Sequence, residues 1–113
     1  MIGSILKLKL DGRFDAYQAQ DTKHWLKAEI EKMNKQGLPI QIVIDMHKVT
    51  FIDSAGLAAL VVGIKKAQEY GGMIHLFGLQ KAVQIIFELS WLDKAFPIYD
   101  SEAEASLAFE QMA

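Results

Sequence analysis

Apolar and polar positions along this chain switch between two periods. Over Ile5-Leu6-Lys7-Leu8-Lys9-Leu10, apolar residues alternate with lysines, the two-residue repeat of a strand with one buried and one wet face. Lysines on the wet face suit a sheet edge. Asp11-Gly12 reads as a turn, Arg13-Phe14 as a short extended piece, and Asp15 as the N-cap of a following helix. Leu26, Ile30 and Met33 then recur at i, i+4 and i+7 among Lys, Glu and Gln, which predicts an amphipathic helix that Gly37 and Pro39 bring to a stop. Ile40-Gln41-Ile42-Val43-Ile44-Asp45-Met46 is β-branched and nearly all apolar, as in a central strand covered on both faces.

A loop from His47 to Ile52 leads to Asp53-Ser54-Ala55-Gly56-Leu57, after which Leu57, Leu60, Val61, Ile64 and Ala67 keep helical spacing up to Gly71-Gly72. Met73-Ile74-His75-Leu76-Phe77 is a second buried strand, and Gly78 opens onto a third helix through Val83, Ile86, Phe87 and Leu89. Phe96-Pro97-Ile98-Tyr99 reads as an edge strand, where Pro is tolerated. Ser101-Glu102-Ala103-Glu104 has capping-box spacing and starts a C-terminal helix through Leu107, Phe109 and Met112. Strands thus alternate with helices, which predicts an α/β fold with right-handed crossovers. The expected sheet is mixed, with four to five strands, mostly parallel but with the Lys-rich first strand antiparallel, and with four helices. With no internal repeat or linker, residues 1–113 read as one domain.

Composition narrows the chemistry. The chain has 113 residues, 51% hydrophobic and 23% charged, enough for one core without disulfides. It has no cysteine, which removes thiolate catalysis, Cys-ligated zinc and iron–sulfur clusters. Twelve basic against fourteen acidic residues give a net charge of −2, and Arg13 is the sole arginine, so nucleic acid is not an expected partner. The nearly uncharged run from Phe51 to Ile64 contains Asp53 and is shorter than the ~20 apolar residues of a membrane span, so no membrane insertion is expected. The first residues lack a basic and apolar leader pattern, and a cytoplasmic protein is the expectation. The balanced charge and the lack of a long apolar stripe suit a monomer.

Asp53-Ser54 falls where the loop after a buried strand meets the first turn of a helix, the place in an α/β sheet where free N–H groups face ligands. The plain alternative is an ordinary helix cap. Gly56 costs ~1 kcal/mol relative to Ala inside a helix, so it points either to close approach by a ligand or to packing on a neighbouring strand. Ser54 as a hydrolase nucleophile has half the required elbow: Gly56 fits and Ile52 does not. His75 alternates with Ile74 and Leu76 and reads as a half-buried structural imidazole, His24 as a helix-surface residue and His47 as a loop residue; the three have no metal-ligand spacing. Asp45 lacks the second carboxylate of an aspartyl-phosphate site and reads as a polar strand end. Trp91 is either a core plug, the favoured reading, or an exposed anchor for a partner.

The stretch Val49-Thr50-Phe51-Ile52-Asp53-Ser54-Ala55-Gly56-Leu57, preceded by Ile42-Val43-Ile44-Asp45 and followed by Gly71-Gly72, resembles the signature of the STAS domain, and in particular that of bacterial anti-sigma factor antagonists. Leu10-Asp11-Gly12-Arg13-Phe14-Asp15 is similar to their Leu-x-Gly-x-hydrophobic-Asp turn, Gln80-Lys81-Ala82-Val83 to the start of their third helix, and Phe87-Glu88-Leu89-Ser90 to its end. The resemblance implies that Ser54 is a phosphoacceptor. Its partner would be a protein that is both anti-sigma factor and serine kinase, bound by the dephosphorylated form and released on phosphorylation, with a serine phosphatase restoring binding. Asp15, Asp53, Ser54, Gly56 and Leu57 carry over as the partner-binding residues. The resemblance implies no enzymatic activity, no catalytic residue, no metal and no cofactor in this chain, since ATP and Mg²⁺ belong to the kinase. Trp91 departs from the Gly usual among relatives, and Ala55 replaces a second Ser common among them, leaving Ser54 as the one hydroxyl of Asp53-Ser54-Ala55-Gly56-Leu57. Two other readings remain: a STAS subunit of a lipid or solute transport complex, and a small serine hydrolase.

Overall fold

A computed structural model describes residues 5–111. Strand β1 (Leu6–Phe14) is followed by α1 (Ala16–Lys35), β2 (Gln41–Ile52), α2 (Ser54–Glu69), β3 (Met73–Phe77), α3 (Lys81–Leu89), a 3₁₀ turn (Leu92–Lys94), β4 (Ile98–Tyr99) and α4 (Glu102–Gln111). Met112 of the expected last helix lies outside the described residues. The four strands lie in the order β1-β2-β3-β4, and every pairing is parallel. The α/β class and the four helices agree with the sequence reading; the antiparallel first strand does not. Leu6 to Phe14 runs parallel to Ile42 to Ile52 because the 20-residue α1 carries the chain back along the sheet before β2 begins, the same crossover that sets the later strands.

Two boundaries also differ from the sequence reading. Asp11-Gly12 does not end β1, and the segment from His47 to Ile52 is not a loop but the second half of β2. The pairing slips between Lys9 and Asp11 and again between Gly12 and Arg13, with β2 carrying an extra residue at each slip, and Gly12 takes φ +69° there. The turn-forming residues therefore bend a long strand instead of terminating it. As a result β2 continues from Asp45, its last partner on β3, to Ile52, beside the end of β1.

Alternation along the strands sorts side chains to two faces. Ile42, Ile44, Ile74 and Leu76 pack into the main core against Leu26 and Ile30 of α1, Leu60 and Ile64 of α2, and Val83 and Phe87 of α3. On the other face Val43 and Phe77 form a smaller cluster with Ala105 and Phe109 of α4. Ser101 caps α4 as the capping-box spacing predicts: its Oγ accepts from the Glu104 N–H at 3.1 Å and donates to the Glu104 carboxylate. Trp91 is 74% exposed and in the left-handed region (φ 64°), so the core-plug reading is overturned. The core at that end is filled instead by Phe87 and Phe96, which meet edge to face at 6.0 Å.

Candidate functional site

Asp53 has extended backbone angles and caps α2, its Oδ1 accepting from the Gly56 N–H at 2.9 Å. Ser54 is the first residue inside the helix and is exposed. In this first turn the N–H groups of Ser54 and Ala55 have no intrahelical acceptor, so the hydroxyl stands at the partially positive end of a 16-residue helix. Gly56 is buried. A Cβ built there would lie 2.3 Å from the Phe14 carbonyl oxygen and 2.9 Å from the Ile52 side chain, so the bare backbone at this position lets α2 start directly against the end of β1. Leu57 is partly buried against the main core and anchors the next turn.

The same close approach brings a second helix start alongside. Asp15 follows Phe14 and caps α1, accepting from the Tyr17 N–H at 3.1 Å. Because α1 and α2 both return antiparallel to the strands, their N-termini lie at one edge of the sheet, each capped by a half-buried aspartate. Between the two helices runs a shallow groove of about 250 Å³, bordered by Ala16, Ala19 and Lys23 of α1 and Ala55, Ala58 and Val62 of α2. All five residues singled out in the sequence, Asp15, Asp53, Ser54, Gly56 and Leu57, therefore belong to one corner of the fold. Ser54 faces solvent, the two aspartates are half-buried, and Gly56 shapes the corner from beneath.

The register of β1 on β2 adds residues to this corner that the sequence reading missed. Arg13 pairs with Phe51, and its guanidinium lies over the Phe51 ring at 4.0 Å from the centroid, with Nε 3.8 Å from Asp15. Tyr17, in the first turn of α1, is 92% exposed. An antiparallel first strand broken at Asp11-Gly12 could not have placed Arg13 beside Phe51. The parallel pairing implied by the α1 crossover would have.

None of the three imidazoles serves Ser54. His75 is fully buried on the α4 face, its Nδ1 2.9 Å from the Ala105 carbonyl and its ring stacked on Phe109 at 3.8 Å. Burial holds its pKa below the ordinary value, partly opposed by the Ala105 bond. Since a carbonyl only accepts, Nδ1 carries the proton. His47 Nδ1 is 2.6 Å from Asp45, and Asp45 also accepts from the His47 N–H at 3.0 Å where β2 bulges. Burial raises the Asp45 pKa, but the His47 ring and backbone bonds and the Lys7 charge outweigh it and leave the carboxyl below the usual range. Asp45 is thus a satisfied buried carboxylate inside β2. His24 lies on the exposed surface of α1, 3.5 Å from Gln20.

Parallel strands joined by helical crossovers, with helices on both faces and an Asp-Ser pair at the mouth of the second helix, define a domain of the α/β class. The chain belongs to the STAS domain family, whose model matches residues 1–105. It is 31% identical over 93 residues to the anti-sigma-B factor antagonist of Listeria monocytogenes, covering 82% of this chain and 77% of that one. It is also similar to a crystal structure of a candidate anti-sigma factor antagonist from Thermotoga maritima, at TM-score 0.80 and 25% identity over 89% of this chain and 83% of that one. The STAS domain of a SulP transporter from Vibrio cholerae shares the fold at TM-score 0.69 and 17% identity, covering 96% and 83% of the two chains.

Proposed function

We propose that this chain, a single STAS domain over residues 1–113, is an anti-sigma factor antagonist that works by binding. In its unmodified form it docks on an anti-sigma factor with serine kinase activity and frees the sigma factor. Transfer of a phosphoryl group from ATP to the Ser54 oxygen ends the docking, and a serine phosphatase hydrolyses the ester to restore it. The observation that carries this reading is the exposure of the Ser54 hydroxyl as the first residue of α2, behind the Asp53 cap and beside the α1 start. Curated relatives similar over most of the chain, such as the Listeria antagonist, support it over a transport subunit, for which the likeness is one of fold.

The electrostatics suit a veto on docking. A phosphoryl group brings about −1.5 to −2 charges. At Ser54 it would receive the free N–H groups of the first turn of α2, so the domain itself accommodates it. The same charge stands beside the carboxylates of Asp53 and Asp15, and this corner then repels or crowds out a partner that fitted the neutral hydroxyl. The hydrolase reading lacks a base, since His24, His47 and His75 are each engaged elsewhere.

The test is a pair of substitutions measured for binding to the kinase. Ser54→Ala keeps the affinity of the unmodified chain, and Ser54→Asp lowers it at least about tenfold, as for a charge placed at an interface centre. Equal affinities for the two variants would sink the proposal, and so would labelling of Ser54 by a fluorophosphonate.

A further inference from the structure

Beyond the Ser54 corner, the outward side of α3 carries features the core does not need. Ile85 and Leu89, one turn apart on α3, are 43% and 76% exposed, and Trp91 follows them at 74%. Trp91 takes the left-handed conformation, a genuine outlier for so bulky a side chain, and so turns its indole outward just after the helix. One residue back, and so about 100° around the helix, the Gln84 and Glu88 row borders an open cleft of about 410 Å³ between α3 and β4. Its charged lining groups are Glu88, Asp93 and Asp100, all carboxylates. Lys81 and Lys94 lie on the same segments but do not line it.

We propose that this face is a second docking surface, for a protein segment that sets basic side chains beside aliphatic ones. The aliphatic residues would cover Ile85, Leu89 and Trp91, and the lysines or arginines would enter the cleft toward Glu88, Asp93 and Asp100. Charge complementarity selects this occupant. A second copy of the chain would bring the same three carboxylates against one another, and an anionic lipid surface would meet them with like charge. The surface is separate from the Ser54 corner: β2 runs from Asp45, at the level where β3 ends, to Ile52, on the order of 20 Å further along the sheet. From the end of β3, α3 runs back antiparallel to the strands, which takes Leu89 and Trp91 farther still from Ser54. The proposal does not rest on the phosphoacceptor reading.

The test is an amide-NMR titration of the full chain with a synthetic amphipathic helix of leucine and lysine, and with its counterpart of leucine and glutamate. The lysine peptide should shift amides between Lys81 and Asp100 and leave Ser54 to Leu57 in place, while the glutamate peptide does not bind. Trp91→Gly, which suits the left-handed angles and so keeps the fold, should weaken the lysine peptide about tenfold. Glu88→Lys combined with Asp93→Lys should weaken it as much. Equal binding of the two peptides, shifts centred elsewhere, or an affinity unchanged in both variants overturns the proposal. Concentration-dependent shifts at Trp91 without peptide overturn it in favour of a second copy, and binding to anionic vesicles that Trp91→Gly abolishes overturns it in favour of a lipid surface.

Discussion

A methyl group on Gly56 would press on the carbonyl oxygen of Phe14 at 2.3 Å, and that oxygen belongs to a strand whose position is fixed by its pairing with β2. Neither side can move without shifting the start of α2. Gly56→Ala should therefore destabilise the chain by about 1–3 kcal/mol in urea unfolding, the range of an overpacked core, despite the better helix propensity of Ala. Ser54→Ala, two residues away and exposed, should change it by less than about 0.5 kcal/mol. The contrast separates the residue that shapes the corner from the exposed residue proposed to carry the switch. Ser54 and Asp53 were legible in the sequence because a helix start is a local event, written in the cap and the apolar spacing after it. Arg13 over Phe51 was not, since that contact depends on how two strands distant in sequence are aligned. Trp91 was misread because an aromatic after an apolar helix is usually drawn into the core, and here Phe87 and Phe96 already fill it.

The elements themselves were largely readable: the cores of the strands, the helix repeats and the capping box of α4 all follow from local pattern. The direction of β1 was not, because a Lys-lined alternating strand looks like a solvent-facing antiparallel edge. Its parallel pairing becomes necessary once α1 is counted as a crossover. Lys7 has a partner on this face, bonding Glu102 of α4 at 2.6 Å. That helix also rests on His75, whose neutral ring stacks on Phe109 and donates to Ala105. The groups around the His75 ring are Tyr99 of β4, Phe109 and the Ala105 carbonyl of α4, and Val43 of β2, its pairing partner; none of them carries a charge to favour the imidazolium. With its pKa held below the ordinary 6.5 by burial, His75 binds fewer protons folded than unfolded, so stability is full above about pH 6.5 and falls as the pH drops below it. Urea midpoints measured from pH 7.5 downward should show this slope in the parent chain and a reduced slope in His75→Gln. An identical slope in both would assign the pH dependence to other groups.

Across the whole molecule, the parallel sheet gathers helix N-termini at the carboxyl edge, and the long β2 carries one of them out beside the end of β1. This is why Asp15 and Asp53, far apart in sequence, cap neighbouring helices at a single corner, with an exposed serine beside them. The net charge of −2 and the three carboxylates of the α3 cleft leave the far side of the molecule to a basic partner. No helix among the described residues is long and apolar enough to cross a membrane. The proposed switch needs no change of fold: one anionic group added to a solvent-facing oxygen alters what this corner can touch. The most direct measurement is peptide mapping by mass spectrometry after incubation with the serine-kinase anti-sigma factor and Mg-ATP. A single phosphoryl group on the peptide containing Ser54, lost in Ser54→Ala, is the predicted result. A phosphoryl group on another residue, or a kinase that binds the chain and leaves Ser54 unmodified, would contradict it.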